Sequence, residues 1–336
     1  MIKVAINGFG RIGRPVFRRI LDKHSDLDVV AINDLTNTKT LAHLLKYDSL
    51  YGTYDKSVGY NQESIVVNKE EYRVLAEKDP AKLPWRKLEV DIVLECTGFF
   101  ADFEGAKKHL EAGANKVIIS APSKSPEVLH FVLGVNQDRF DPKKDEVISM
   151  GSCTTNCLAP VVKILHDNFE IESGLMTTIH SYTNDQKLLD LPHRDLRRAR
   201  AAALSMVPTT TGAVIAVTKT IPELEGKING LAIRVPTPVV SLIDFVAKVK
   251  KETTIEEVND TFKKSSEQPE LKGILGVEDA LLVSVDYRGS QYSAVIDAAS
   301  TMVQNKNLVK ILAWYDNEWG YACRLAEFTE FIGGKL

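Results

Sequence analysis

Ile6-Asn7-Gly8-Phe9-Gly10-Arg11-Ile12-Gly13-Arg14 decides the fold. Residues 3–6 before the glycines predict a strand, and residues 14–22 place Val16, Ile20 and Leu21 on one side of a helix. A glycine-rich turn between strand and helix suits a bound dinucleotide. Gly8 permits the tight turn, Gly10 lets the backbone approach a pyrophosphate, and Gly13 lets helix and strand pack closely. That spacing alone is a weak signal, shared with glycine-rich turns of other α/β proteins. Here a second strand over residues 28–33 ends at Asp34, 21 residues beyond Gly13. A carboxylate there accepts ribose hydroxyls and repels a 2′-phosphate, favouring NAD over NADP.

Residues 90–95 and 116–120 are further short β-branched runs closed by small residues, as buried parallel strands are. Alternation of such strands with helices predicts a doubly wound sheet. Residues 65–67 and 72–75 fit a hairpin joined by 68–71.

The character changes after Gly151-Ser152-Cys153-Thr154-Thr155-Asn156-Cys157-Leu158-Ala159-Pro160. Leu158, Val161, Val162 and Leu165 recur at helical spacing, and Pro160 suits that helix only near its first turn. Strand-like runs follow at 175–180, 231–235, 241–249, 281–285, 293–298 and 309–315, with one clear helix over 253–264. Strands joined largely without helices predict an α+β domain with a mainly antiparallel sheet. Residues 319–332 predict a final helix, and residues 181–207 form a long polar loop of the kind that is usually functional.

Cys153 stands where a helix should begin. Backbone N–H groups there favour an anion, so the thiol pKa is expected to fall and the thiolate to act as nucleophile. The bland alternative is a small core residue, which fits Cys157 better. His180 ends a strand and is a candidate acid or base, though a structural histidine stays open among the seven in the chain. Arg194, Arg197, Arg198 and Arg200 form a basic cluster that is a solvated face, a nucleic-acid surface or an anion site. Thr211-Gly212 offers a hydroxyl and close backbone approach, and Arg234 in an apolar run needs a partner such as a bound anion.

The chain of 336 residues suits two domains, and its net charge of −3 gives no global case for a nucleic-acid or membrane partner. Residues 2–6 predict a strand rather than a secretory signal, and no apolar run reaches membrane-span length. Four cysteines without framework spacing suit a reducing compartment, and no Cys/His cluster completes a metal site.

Residues 6–14 and 152–160 resemble the N-terminal and active-site signatures of the glyceraldehyde-3-phosphate dehydrogenase family. Residues 180–186, 195–201, 208–212, 234–238 and 314–321 match in order and spacing, so the resemblance covers essentially the whole chain. It implies a Rossmann domain over 1–152, completed by the C-terminal helix over 317–336, and a catalytic domain over 153–316. It implies Cys153 as nucleophile and His180 as its base. Arg11, Ile12, Asp34, Lys78, Ser120 and Asn317 fall where the family contacts NAD, beside the glycines Gly8, Gly10 and Gly13. Thr183, Asp185 and Arg234 match the site of the substrate's C3 phosphate. Ser152, Thr154, Arg198, Thr211 and Gly212 match positions for substrate or inorganic phosphate. The implied reaction converts D-glyceraldehyde 3-phosphate and phosphate to 1,3-bisphosphoglycerate with reduction of NAD, in a cytoplasmic homotetramer. Val239-Val240 and Val214-Ile215 depart from the family pattern without removing a catalytic side chain. The rivals are an erythrose-4-phosphate dehydrogenase, which hydrolyses its thioester, and a nucleotide- or RNA-binding protein.

Overall fold

Short β-branched runs become the middle of a sheet when both of its faces are covered. The computed structural model describes residues 1–336. It divides into one unit of Met1–Phe131, Asp138–Gly151 and Ala322–Leu336, and a second of Val132–Gln137 and Ser152–Tyr321.

In the first unit β1 (Ile2–Asn7) is followed by α1 (Gly13–Lys23), β2 (Leu27–Asn33), α2 (Thr38–Lys46) and a small ladder of β3 (Tyr47–Asp48) and β4 (Gly52–Thr53). Then come β5 (Val58–Tyr60), β6 (Ser64–Val67), β7 (Glu70–Leu75), α3 (Trp85–Leu88), β8 (Ile92–Glu95), α4 (Phe103–Glu111), β9 (Lys116–Ile119), β10 (Leu129–His130) and β11 (Val147–Ser149). The sheet runs β10-β11-β9-β8-β1-β2-β7-β6-β5. Pairing is parallel from β10 to β7, and the expected hairpin forms its antiparallel edge. Strand order reverses at β1, so a crevice opens at its carboxyl end. Ala5, Ala31, Val93 and Val117 pack with Trp85 in a core that excludes water.

The glycine turn sits at that end. Gly8 has φ +94°, and a Cβ on it would lie 2.8 Å from Thr97 N. A Cβ on Gly13 would lie 2.1 Å from the Gly8 carbonyl oxygen. Nothing stands within 4 Å of a Cβ on Gly10, which leaves that side of the loop open.

The second unit holds α5 (Cys153–Phe169), β12 (Ile171–Ser181), β13 (Val207–Thr209), α6 (Ala213–Thr220), β14 (Ile228–Val235), β15 (Ser241–Val249), α7 (Ile255–Ser266), β16 (Leu275–Glu278), β17 (Ala294–Asp297), β18 (Met302–Gln304) and β19 (Leu308–Tyr315). The chain ends in α8 (Trp319–Gly333), whose residues from Ala322 onward belong to the first unit. The sheet order is β13-β14-β12-β15-β19-β17-β16, with β18 beside β19. Most pairs are antiparallel, but β12–β14 and β16–β17 are parallel. β15 alternates buried and partly exposed residues over Ser241–Val249, the pattern of a strand with one covered face. α5 supplies cover by packing on β12, β15, β17 and β19.

Two local expectations fail. Pro160 lies in the interior of α5, not near its first turn. The helix persists because its apolar face, Leu158, Val161, Val162 and Leu165 included, is fully buried, and that burial offsets the lost backbone bond. Residues 281–285 form no strand: a 3-10 turn spans Ser284–Tyr287, and Leu281 is 89% exposed. Apolar side chains left in water give a strand nothing to pack against.

Gly13→Ala should lower the free energy of unfolding by more than about 2 kcal/mol, because backbone must move to admit the methyl group. Gly10→Ala should stay within about 1 kcal/mol of wild type. Urea unfolding of both variants checks the contrast.

Candidate active site

The nucleophile is set by a helix cap. Ser152 Oγ accepts from Thr155 N at 3.1 Å, and Ser152 N donates to Thr155 Oγ1 at 3.1 Å. This reciprocal box starts α5 at Cys153. The N–H groups of Cys153 and Thr154 therefore bear on the sulfur.

The base arrives by sheet register. In the parallel pair β12–β14, His180 lies opposite Arg234. His180 Nε2 stands 3.5 Å from Cys153 Sγ. Its Nδ1 is 2.7 Å from the Ser181 carbonyl, an acceptor only, so Nδ1 carries the proton and Nε2 offers its lone pair to the thiol. Arg234 Nη1 donates to the same carbonyl at 3.2 Å and to Thr183 Oγ1 at 3.1 Å. Its Nε is buried without a partner. A buried guanidinium N–H of that kind calls for an acceptor, and an anionic substrate group supplies one.

Electrostatics revise one expectation. Burial pushes the Cys153 thiol above its ordinary value, while Arg234, the Thr154 hydroxyl and the Thr154 and Cys153 N–H groups pull it down by less. Burial, then Arg234, pushes His180 down to about 3. Both shifts favour a neutral thiol beside a neutral imidazole. The helix terminus does not ionise the sulfur alone; the imidazole must take its proton. Cys157 is fully buried, with Sγ 3.9 Å from the Ala313 carbonyl oxygen, and burial raises its thiol well above the ordinary value. It is a core residue.

Several hydroxyl groups hold the site. Tyr315 OH lies 2.9 Å from Thr154 Oγ1 and 2.8 Å from Thr178 Oγ1, with its ring edge-on to His180. The Thr154 hydroxyl thus sits between Tyr315 OH and the Cys153 sulfur, 4.0 Å from Sγ. Asn317 Oδ1 accepts from Ser181 Oγ at 2.9 Å and from Ser241 Oγ at 3.0 Å, which directs the Nδ2 donor away from them. Ser181 lies in the 180–186 segment and Ser241 opens β15, but neither was expected to be a site residue. The available signal was a serine at a buried position of an apolar strand.

The basic cluster is largely paired within its own loop. Arg198 binds the Asp185 carboxylate, Thr209 Oγ1 at 3.0 Å and the Thr210 carbonyl at 3.1 Å. Arg200 Nε lies 3.1 Å from Asp190, and Arg197 donates to the Pro208 carbonyl at 3.2 Å. Asp185, with His193 Nε2 at 3.5 Å, orients Arg198. Thr211 Oγ1 accepts from Ala213 N at 3.2 Å, and Gly212 caps α6 with open space where a Cβ would stand.

The first unit carries the dinucleotide candidates. A cavity of about 540 Å³ is lined by Asn7, Gly8, Gly10, Asn33, Asp34 and Lys78 among others. Asp34 Oδ2 accepts from Phe9 N at 2.8 Å and Oδ1 from Thr36 N at 2.9 Å. Each oxygen keeps a lone pair for a ribose hydroxyl. Ile12 precedes α1 as its N-cap. The Arg11 side chain is held by Asp48 at 2.6 Å, and Ser120 Oγ donates to the Glu95 carbonyl at 2.9 Å. A floor without a side chain at Gly10 and a carboxylate at the second strand's end fit NAD.

The family model described as Glyceraldehyde 3-phosphate dehydrogenase, NAD binding domain, matches residues 2–103, and that described as its C-terminal domain matches residues 152–317. The chain is 58% identical over 334 residues to glyceraldehyde-3-phosphate dehydrogenase of Geobacillus stearothermophilus, covering 99% of each. It is 54% identical over 334 residues to glyceraldehyde-3-phosphate dehydrogenase 1 of Bacillus subtilis, again covering 99% of each. Identity to glyceraldehyde-3-phosphate dehydrogenase of Streptomyces coelicolor is 51% over 335 residues, covering 100% of this chain and 99% of the relative.

His180→Asn should slow iodoacetamide alkylation of Cys153 at pH 7 by about tenfold or more, since the thiol then ionises alone. Burial raises that thiol above its ordinary value, so the thiolate fraction falls at neutral pH, and the rate should recover only in alkaline solution beyond the range where an ordinary thiol ionises. An unchanged rate at pH 7 would remove the imidazole from thiol activation.

Proposed function

The chain belongs to the glyceraldehyde-3-phosphate dehydrogenase family, and from that premise we propose how its residues divide the oxidation of D-glyceraldehyde 3-phosphate. It is an NAD-dependent enzyme of that activity. Cys153 Sγ attacks the aldehyde carbon while His180 Nε2 takes the thiol proton and passes it to the carbonyl oxygen, giving a hemithioacetal. His180 then takes the hydroxyl proton back as the C–H bond breaks, and a thioester remains on Cys153. Bound NAD supplies the hydride acceptor. The N–H groups of Cys153 and Thr154 stabilise developing negative charge on sulfur and oxygen. Inorganic phosphate attacks the thioester carbonyl, the Cys153 thiolate departs, and His180 returns its proton. The product is 1,3-bisphosphoglycerate.

Two anions must be held. Arg234 and Thr183 take the substrate's C3 phosphate, with Asp185 holding Arg198 in place. Ser152, the Thr154 N–H, Arg198, Thr211 and Gly212 take inorganic phosphate. Gly8, Gly10, Arg11, Ile12, Gly13, Asp34, Lys78 and Ser120 hold the dinucleotide, with Asn317 presenting its amide to the nicotinamide carboxamide. Residues 1–152, completed by the helix over 317–336, are the nucleotide domain, and 153–316 the catalytic domain. The 3.5 Å approach of Sγ to an imidazole of fixed tautomer carries this reading.

No helix is long and apolar enough to cross a membrane. Leu188, Leu189, Leu191, Leu196, Leu204 and Met206 are exposed in and around the long loop. Apolar side chains of this kind mark a contact surface, which supports self-association, and our reading is a homotetramer acting in the cytoplasm.

NADH formation from D-glyceraldehyde 3-phosphate and NAD, with and without inorganic phosphate, tests the reaction. Sustained turnover only with phosphate is expected. Turnover without phosphate would favour the hydrolytic erythrose-4-phosphate type, and none at all would contradict the mechanism. Asp34→Gly should relax the preference for NAD over NADP by about tenfold or more. Unchanged discrimination would free Asp34 of the ribose role.

A further inference from the structure

Beneath the cavity of the first unit lies a carboxylate with no lysine or arginine partner. Glu95 ends β8 and is 1% exposed. Oε2 accepts from Asn7 Nδ2 at 2.5 Å and lies 3.1 Å from His109 Nε2. Oε1 accepts from Thr97 N at 2.7 Å and from the Thr97 hydroxyl. Trp85 Nε1 stands 2.9 Å from His109 Nδ1. An indole N–H only donates, so Nδ1 accepts, and Nε2 carries the proton that faces Glu95. His109 thus accepts at Nδ1 and donates at Nε2, and four donors surround the buried carboxylate.

Such a group is costly to bury, and an apolar cluster of the same volume would fold the sheet at least as well. Its partners show what the carboxylate does. Asn7 and Thr97 line the cavity from two different strand ends. Gly8, next to Asn7, runs so close to Thr97 that no Cβ fits between them. Asn7 Oδ1 also accepts from Asn33 Nδ2 at 2.7 Å, and Asn33 binds the backbone N–H and carbonyl of Glu77, each at 2.9 Å. Asn33 and Glu77 line the same cavity, and Asn33 directly precedes Asp34. One carboxylate is therefore linked to the glycine turn, the Thr97 segment and the strand end that carries Asp34.

We propose that Glu95 and His109 are positioning residues for the dinucleotide: the relay Trp85–His109–Glu95 holds the walls of this cavity at the spacing that NAD requires. The proposal rests on the reading of this cavity as the NAD site. Neither side chain need touch the ligand. His109 supplies the donor that completes Glu95, and Glu95 pulls Asn7 and Thr97 together. Affinity then depends on the walls being held before the ligand arrives.

The test uses the full chain with His109→Gln and His109→Asn. A glutamine amide reaches the place of Nε2 and can still donate to Glu95. An asparagine reaches only the place of Nδ1, next to Trp85. The dissociation constant for NAD is measured by calorimetry, alongside thermal unfolding and Cys153 alkylation without NAD. Asparagine should weaken NAD binding about tenfold or more and glutamine no more than about threefold, both alkylating at the wild-type rate. Equal affinities in the two variants, or alkylation falling in step with affinity, would overturn the proposal. A wild-type chain that fails to bind NAD would remove the cavity's assignment, and the proposal with it.

Discussion

The contact between Cys153 and His180 depends on register. β12 and β14 run parallel, so His180 and Arg234 stand side by side. One strand delivers the base, its neighbour delivers the cation, and the cap at Ser152 delivers the sulfur. The Ser181 carbonyl accepts from both His180 and Arg234, fixing the imidazole tautomer and the guanidinium in a single bond network. A slip of one residue in β12 would turn His180 to the other face and break its bond network with Arg234.

Burial gives this arrangement its chemistry. It holds the imidazole neutral and keeps the thiol from ionising by itself. The pair thus works by moving one proton between close neighbours, which avoids stabilising a lone charge in a dry site. The same logic runs through the first unit, where four donors converge on the buried Glu95 carboxylate. In both units buried polar groups are spent on holding geometry that apolar packing would not specify.

Much of the fold was legible in residues. The strand–glycine–helix opening, the acid at position 34 and the hairpin follow from local pattern, and the second-unit strands from β-branched runs. Local pattern failed where tertiary contact decided the outcome. Val207–Thr209 contains Pro208 and sits after a long loop, yet it pairs with β14. Ala213–Thr220 begins after a threonine run that suggests a turn. Leu281, Val283 and Val285 have the alternation of a strand and no core to cover. In the site, Cys153 and Asp34 announced themselves by position. The meeting of Ser181, Ser241 and Asn317 did not, because the sheet brings together residues up to 136 apart in sequence. The raised thiol was equally hidden, since burial is a property of the folded chain.

The central claim is that a single sulfur carries the acyl group between oxidation and phosphate attack. Peptide mass spectrometry after mixing the protein with D-glyceraldehyde 3-phosphate and NAD, without phosphate, tests it most directly. An acyl adduct on the peptide holding Cys153, discharged when inorganic phosphate is added, is the predicted result. Turnover with no adduct on Cys153, or an adduct on Cys157 in its place, would contradict the account.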